Sequence, residues 1–392
     1  MHYYKSLVGT ALSLAPLVNA LPVKEPPQPC ASSTSATIAL IGDYGWTGWQ
    51  PANENFCNNI LPNLQAANVD VSMEIINDCT LGDAQSLPNA TVFQERTASY
   101  LGEICDPSKR NCSAIISVGD SFYDSGVAFD TAGINQFEIA FQQMYNTSRG
   151  QFYENTTWYM SLGNHDVVRG WDGVNFQTQI APLMDSRWYF GTEGLPYYSY
   201  DLQGEDWSAT FAVVDSDCFI EKYQLNTSVY YNNYTIECHQ DTQTQVDFVE
   251  QAFANSNADW KFLTIHHPYL SSSDNYTELA PVIEVAQKYN GVVMNGHDHC
   301  MAHYQLNGTN YVLTGGGGYT QAGDCNNGVA LGPFVKFLGA NAVQAANGFV
   351  LLEISKESLT FDYYLRNMQY EHQDLFPVKD DKVPYYSFTI NS

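Results

Sequence analysis

The chain has 392 residues, with 16 Lys and Arg against 42 Asp and Glu, a formal charge of −26 and a pI near 4.4. A surface this acidic repels nucleic acid and anionic membranes, which excludes both as main partners. It also sets a condition on any anionic substrate: cations bound at the site must invert the local potential.

In chain order, residues 1–20 (MHYYKSLVGTALSLAPLVNA) read as a secretory signal peptide, with one lysine, an apolar stretch through Leu17 and a small-residue pattern ending at Ala20. That stretch is short for a membrane span of about 20 residues, and no later stretch is long enough either. A secreted protein without a membrane anchor is expected, either released or kept in the cell wall or a vacuole-like compartment. Residues 21–34 form a Pro-rich linker. Residues 35–365 carry all the motifs described below and read as one large domain, followed by a C-terminal extension, 366–392.

Within the domain a strand is predicted at Ala36–Ile41 and a helix near Asn53–Gln65. A strand at Ser113–Val118 and a helix over Gly133–Tyr145 come next, then strands at Trp158–Leu162 and Ala209–Val214. The helix Gln243–Asn255 leads into the strand Phe262–Ile265, and the helix Leu279–Tyr289 into the strand Gly291–Met294. Strands at Tyr311–Thr314, Phe349–Ile354 and Leu359–Tyr364 close the domain. Strands that alternate with helices and then end as hairpin-like pairs predict an α/β fold, a mixed-sheet sandwich flanked by helices.

The chain holds nine cysteines. In an exported protein they suggest structural bridges with one left over. Local pairing would join Cys105–Cys112, Cys218–Cys238 and Cys300–Cys325, then Cys57–Cys79, leaving Cys30 unpaired or intermolecular; spacing alone does not settle the connectivity. A Cys-containing insertion is expected over about 53–112. Eight glycosylation sequons begin at Asn89, Asn111, Asn146, Asn155, Asn226, Asn233, Asn275 and Asn307, which predicts a glycoprotein.

Five apolar segments end in polar residues next to Gly or Pro: IALIGDYG (Asp43), IISVGDSFY (Asp120, Tyr123), MSLGNHD (Asn164, His165), FLTIHHPY (His266) and VVMNGHDH (His297, His299). Donors at the carboxyl ends of strands converge on the edge where α/β sheets bind ligands. Asp43, Asp120, Tyr123, Asn164, His266, His297 and His299 are too many for one ion and suit two, the usual apparatus for hydrolysing phosphate esters. Imidazoles suit iron, zinc or manganese, and a Tyr123 phenolate selects a trivalent ion, Fe(III). Each motif alone could be a turn or a core residue, but five in order are not explained that way. No G-x-S-x-G elbow or H-E-x-x-H helix offers another nucleophile or metal site. The glycine run in TGGGGY, 314–319, is assigned to a loop beside the site.

These blocks resemble those of the calcineurin-like metallophosphoesterases, and within them the shorter, tartrate-resistant branch of the purple acid phosphatases. The motifs D-x-G, G-D-x-x-Y, G-N-H-D, a ligating His and G-H-x-H occur here in the family's order, as Asp43-Tyr44-Gly45, Gly119 to Tyr123, Gly163 to Asp166, His266-His267-Pro268 and Gly296 to His299. The resemblance implies a four-layer αββα fold and an acid phosphatase that hydrolyses phosphate monoesters through a metal-bound hydroxide. It implies Fe(III) on Asp43, Tyr123 and His299, with Asp120 bridging to a divalent iron, zinc or manganese on Asn164, His266 and His297. His165 would contact the phosphate or protonate the leaving alcohol. Small phosphate esters would be the substrates and a monomer the expected state. The branch's further histidine is absent from SSSDNYTE; Asp274, His267 and His303 are its stand-ins, and Asp166 and Asp298 are second-layer candidates. Two rival readings remain: a phosphodiesterase of the same superfamily acting on nucleotides or phospholipid head groups, and a non-catalytic secreted binding glycoprotein.

Overall fold

The computed structural model describes residues 27–28, 33–45, 93–271, 273–274, 276–318, 320, 324–325, 332–340, 345–366 and 381–392. The expected signal peptide, most of the linker, the helix at 53–65, Cys30, Cys57, Cys79, and the sequons at Asn89 and Asn275 lie outside the described residues.

Two seven-stranded sheets form. The first contains β1 (Ser35–Ile41), β2 (Cys112–Ser117), β3 (Thr157–Tyr159), β4 (Trp188–Tyr189), β12 (Asn347–Ser355), β13 (Ser358–Arg366) and β14 (Tyr386–Asn391), in the order β14-β13-β12-β1-β2-β3-β4. The second contains β5 (Tyr198–Gln203), β6 (Ser208–Val213), β7 (Trp260–Thr264), β8 (Val292–Asn295), β9 (Met301–Leu306), β10 (Thr309–Thr314) and β11 (Val335–Leu338), in the order β11-β9-β10-β8-β7-β6-β5. Both are mixed. β1, β2, β3 and β4 run parallel, as do β6, β7, β8 and β10, while antiparallel strands complete the edges. The α/β sandwich expected from strand–helix alternation is therefore the architecture observed.

The parallel strands are continuous apolar runs because both faces are covered. Ile38, Leu40 and Ile41 of β1 and Ile115 and Ile116 of β2 are fully buried, each such side chain contributing about 1.5–3 kcal/mol. The sheets are stitched together at the motif edge: Gly42 N–H donates to Thr314 O at 2.9 Å and Thr314 Oγ1 to Leu40 O at 3.2 Å. Much of the aromatic content is core. Trp158, Trp188, Phe137, Phe141 and Tyr145 pack edge-on or tilted beside β3 and β4.

Several predicted elements form with shifted bounds. The helix over 133–145 becomes Thr131–Phe137 continued by wider π-type turns, Glu138–Gln143. The helix Phe93–Ile104 was not predicted; Tyr100 on it packs on Phe349 at 4.9 Å, so this part of the expected insertion rests on the first sheet. β5 and β14 were also not predicted. β5 buries only alternate residues, Tyr198, Tyr200 and Leu202, and β14, in the C-terminal extension, pairs with β13 as an edge strand. Disulfides join Cys105–Cys112, Cys218–Cys238 and Cys300–Cys325. No helix among the described residues is long and apolar enough to cross a membrane.

Candidate metal centre

β1, β2 and β3 of the first sheet end at Asp43, at Asp120 and Tyr123, and at Asn164 and His165; β7 and β8 of the second end at His266 and His297, and His299 follows before β9. Backbone bonds lock these turns together: Asp43 N–H donates to Gly119 O at 3.1 Å, Tyr123 N–H to Gly45 O at 3.0 Å, and Gly296 N–H to His266 O at 3.0 Å. Asp43, Asp120 and His297 all take left-handed φ, at 56°, 53° and 71°. Asp and His tolerate that region better than most residues, and strain of this kind clusters at functional sites. The glycines beside them leave room for the carboxylates. A Cβ on Gly163 would collide with Asp120 Oδ1, and one on Gly296 with Asp43 Oδ2.

The side chains fall into two groups. Tyr123 hydroxyl lies 2.9 Å from Asp120 Oδ2, 3.2 Å from Asp43 Oδ1 and 3.0 Å from His299 Nε2. Asn164 Oδ1 lies 2.7 Å from His297 Nδ1 and 3.1 Å from His266 Nε2. Asp120 joins them, its Oδ2 standing 3.3 Å from His266 Nε2.

The surroundings orient these donors. His266 Nδ1–H donates to Val118 O at 2.8 Å, which turns Nε2 inward. The Asn164 amide donates from Nδ2 to the Tyr230 hydroxyl at 2.7 Å, which fixes Oδ1 toward the histidines. Tyr276 hydroxyl contacts His297 Nε2 at 2.6 Å. Such outer contacts set tautomer and ligand direction.

Burial sets the charge states of these groups. Burial pushes Asp43 well above the usual carboxylate range. Burial opposes charge on Asp120 too, but His266 and His165 hold it well below that range. Burial likewise works against the His266 cation, yet Asp120 and Asp43 push it up to about 10. Burial holds His299 down at about 4, and burial with His266 keeps His297 neutral. Tyr123 is held far above a phenol's range by burial and by Asp120 and Asp43, so it ionises only against a strong positive charge. Without a cation, Asp43 and His266 each keep a proton beside the ionised Asp120; bound cations would take the place of those protons. Hard and borderline donors converging in so small a space fit metal cations, and the donor atoms of Asp43, Asp120 and His266 lie within 4.8 Å of one another.

His165 adds no donor to either group, although its ring packs on Tyr123 with centroids 4.2 Å apart and its backbone N–H donates to Asp120 Oδ1 at 2.9 Å. Its Nδ1–H donates to Asp124 O at 2.6 Å, which leaves Nε2 for the cleft that the residue lines. Asp166 is a brace: it accepts from Gly163 N–H at 2.9 Å and Ser121 N–H at 3.1 Å, and burial pushes it up to about 7. Asp298 accepts from the hydroxyls of Ser271 and Ser273 at 2.7 and 2.6 Å, and is also pushed up to about 7 by burial.

Two of the expected stand-ins for the missing histidine are corrected. His303 lies on β9 against Phe388, with ring centroids 3.7 Å apart, and bonds to Tyr386 and Asn310, away from the cleft. His267 packs behind His297, but Ser216 and Tyr223 each hold one of its ring nitrogens at 2.8 Å, so it has no hydrogen-bonding capacity left for a substrate. Asp274 does line the cleft, ion-paired with Lys222. The glycine run is structural as well: Gly315 and Gly317 N–H donate to Cys300 O and Gly42 O, while Tyr319 lies outside the described residues. Lys222, Tyr230, Tyr276 and Asp324 line the cleft without having been anticipated. Of these, only Tyr276 lies in SSSDNYTE, the stretch without the branch's further histidine.

Comparisons with known proteins identify the family of this chain. The profile of the calcineurin-like phosphoesterase family matches residues 36–301. Purple acid phosphatase 7 of Arabidopsis thaliana is 28% identical over 238 residues, 57% of this chain and 65% of that protein. Purple acid phosphatase 4 of the same plant is 29% identical over 57% of this chain and 63% of its own length. The chain thus spans slightly less than two thirds of the length of these relatives. Among solved structures, GAP50, the anchor in the inner membrane complex of Plasmodium, superposes with a TM-score of 0.58 at 13% identity, covering 92% of this chain and 89% of that one. PhoD does so with a TM-score of 0.50 at 11% identity, covering 93% and 71%. At such identities these two share the fold alone.

Proposed function

The chain belongs to the calcineurin-like phosphoesterase family, and from that premise we propose that it is a secreted acid phosphatase acting on phosphate monoesters at a two-cation centre. The observation that carries this reading is the division of seven donors into two groups that share Asp120. Asp43, Tyr123 and His299 would hold Fe(III), Asn164, His266 and His297 a divalent iron, zinc or manganese, and Asp120 would serve both. When bound, the two cations supply Lewis acidity at the phosphoryl oxygens and lower the pKa of water.

The chain's own groups do the rest. Tyr230 and Tyr276 orient Asn164 and His297. His165, tethered through Nδ1, faces its Nε2 to the leaving oxygen and hands it a proton. Export and glycosylation belong to the same proposal, supported by exposed sequon residues at Asn111, Asn155, Asn226, Asn233 and Asn307.

The test is an assay of the purified protein on p-nitrophenyl phosphate and bis(p-nitrophenyl) phosphate, with metal content and visible absorption measured together. Preference for the monoester, bound iron and a broad visible band are expected. Preference for the diester replaces the reading with a phosphodiesterase, and no turnover with metals bound replaces it with a binding protein.

A further inference from the structure

The cleft over the strand ends encloses about 320 Å³, and Lys222 is the only Lys or Arg lining it among the described residues. Lys222 sits on the short helix Glu221–Gln224. Its neighbour Tyr223 is buried, with its hydroxyl 2.8 Å from His267 Nε2, so the backbone beneath Lys222 is anchored to the residue that follows His266. The ammonium lies 4.9 Å from the Tyr276 ring centroid and 5.7 Å from that of Tyr223, and it pairs with Asp274. Aromatic faces and a carboxylate thus hold a long, flexible side chain in one place.

As a stability device this pair contributes little, because both side chains are nearly half exposed, at 46% and 43%. Its position is more telling. Asp274, Asp298 and Asp324 line the cleft with it, so an entering anion meets three carboxyls and one ammonium outside the ligand set. An ammonium has three donors and can keep Asp274 while giving a hydrogen bond to a second oxyanion.

We propose that Lys222 is a substrate-binding residue that donates to a non-reacting oxygen of the phosphate group, with Asp274 and the Tyr276 ring holding it ready. It thereby favours the more highly charged monoester over a diester. The inference rests on the phosphomonoester reading, and the test separates the two. Inorganic phosphate is titrated calorimetrically into the metal-loaded protein, and KM for p-nitrophenyl phosphate is measured in parallel, for wild type, Lys222→Met, Lys222→Arg and Asp274→Asn.

Lys222→Met should weaken phosphate binding and raise KM by about tenfold or more, the factor that a charge-assisted hydrogen bond supplies, with a smaller change in kcat. Lys222→Arg should recover most of the loss, and Asp274→Asn, which keeps the cation, should stay within about threefold of wild type on the same scale. A purely structural ion pair would make Lys222→Met and Asp274→Asn equally harmful, and that result overturns the proposal. Unchanged phosphate binding in Lys222→Met, or no phosphate binding by the wild type, also overturns it. Wild-type protein that binds phosphate but hydrolyses no monoester would sink the phosphatase reading alone, leaving Lys222 to be judged on the binding ratios.

Discussion

The rim of strand ends and the wall that faces it across the cleft are built on different terms. The rim is made of tight turns after buried strands, with its donors fully or nearly buried: Asp43 at 0%, Asp120 at 1%, Asn164 at 1% and His266 at 0% exposure. The wall is the segment between β6 and the helix Thr242–Asn255, two short 3₁₀ turns and the helix Asn233–His239 closed by the Cys218–Cys238 disulfide. It carries Lys222, Tyr223 and Tyr230, none in a recognisable motif. Burial makes the rim intolerant of change, since removing one member strands a neighbouring charge away from water. The wall's backbone is buried as firmly, but the half-exposed Lys222 that it turns to the cleft can vary without that penalty, so it is where selectivity between esters can be tuned.

The largest effect expected is at the rim's shared residue. Asp120→Asn should lose both cations and more activity than the loss of one positioned acid, which costs about 10²–10⁴-fold. Elemental analysis decides it: two ions retained in Asp120→Asn would break the division of ligands argued from the two groups.

His165→Ala should keep metals and visible colour while turnover falls by about 10²–10⁴-fold. The loss should be steepest for alkyl phosphates, whose leaving alcohols need a proton, and mildest for p-nitrophenyl phosphate. Equal losses across leaving groups would make His165 a phosphate ligand rather than a proton donor.

A smaller effect is expected where the wall touches the rim. Tyr230→Phe removes the acceptor of the Asn164 amide and frees that amide to rotate. Affinity for the cation on Asn164, His266 and His297 should drop by about 10–100-fold, as for other outer-shell partners, while the visible band of the other ion stays. Metal titration with unchanged affinity would show the wall to be energetically separate from the rim.

The last effect leaves activity aside and is confined to the wall's own folding. Asp217 is fully buried beside Asp215, whose Oδ1 accepts from the Asp217 N–H at 2.9 Å; burial first, then Asp215, pushes it well above the carboxylate range. The folded chain therefore keeps a proton there that the unfolded chain releases above about pH 3.9. Its contribution to stability declines as pH rises from that value toward the folded pKa, by up to about 1.4 kcal/mol per pH unit. Asp217→Asn should abolish this slope and gain on wild type between about pH 4 and 7, as urea unfolding at several pH values will measure. Parallel stability curves for the two proteins would contradict the buried, protonated Asp217.

Legibility in the sequence followed the same division. Parallel strands such as SATIALI and CSAIIS announce themselves as apolar runs that stop at Gly-Asp, so the core strands and the rim donors could be read directly. β5, with only three inward residues, and β14, an edge strand whose residues alternate between half-buried and exposed, carry too weak a pattern. The helix Phe93–Ile104 was absorbed into the expected insertion because its role depends on Phe349, which is distant in sequence.

What the sequence by itself determined is the donor inventory and its place at strand ends, because strand periodicity and the turn that follows are local properties of a few residues. Only the tertiary structure decided which donors meet. Asp43 and the His297 amide are 254 residues apart in sequence yet within 3 Å, because the two sheets are stitched at that edge. The same packing turned His267 into a buried support, stacked His303 of β9 on Phe388 and brought Lys222 and Tyr230 over the cleft. Those outcomes rest on side-chain contacts between remote segments, and no local pattern of residues encodes them.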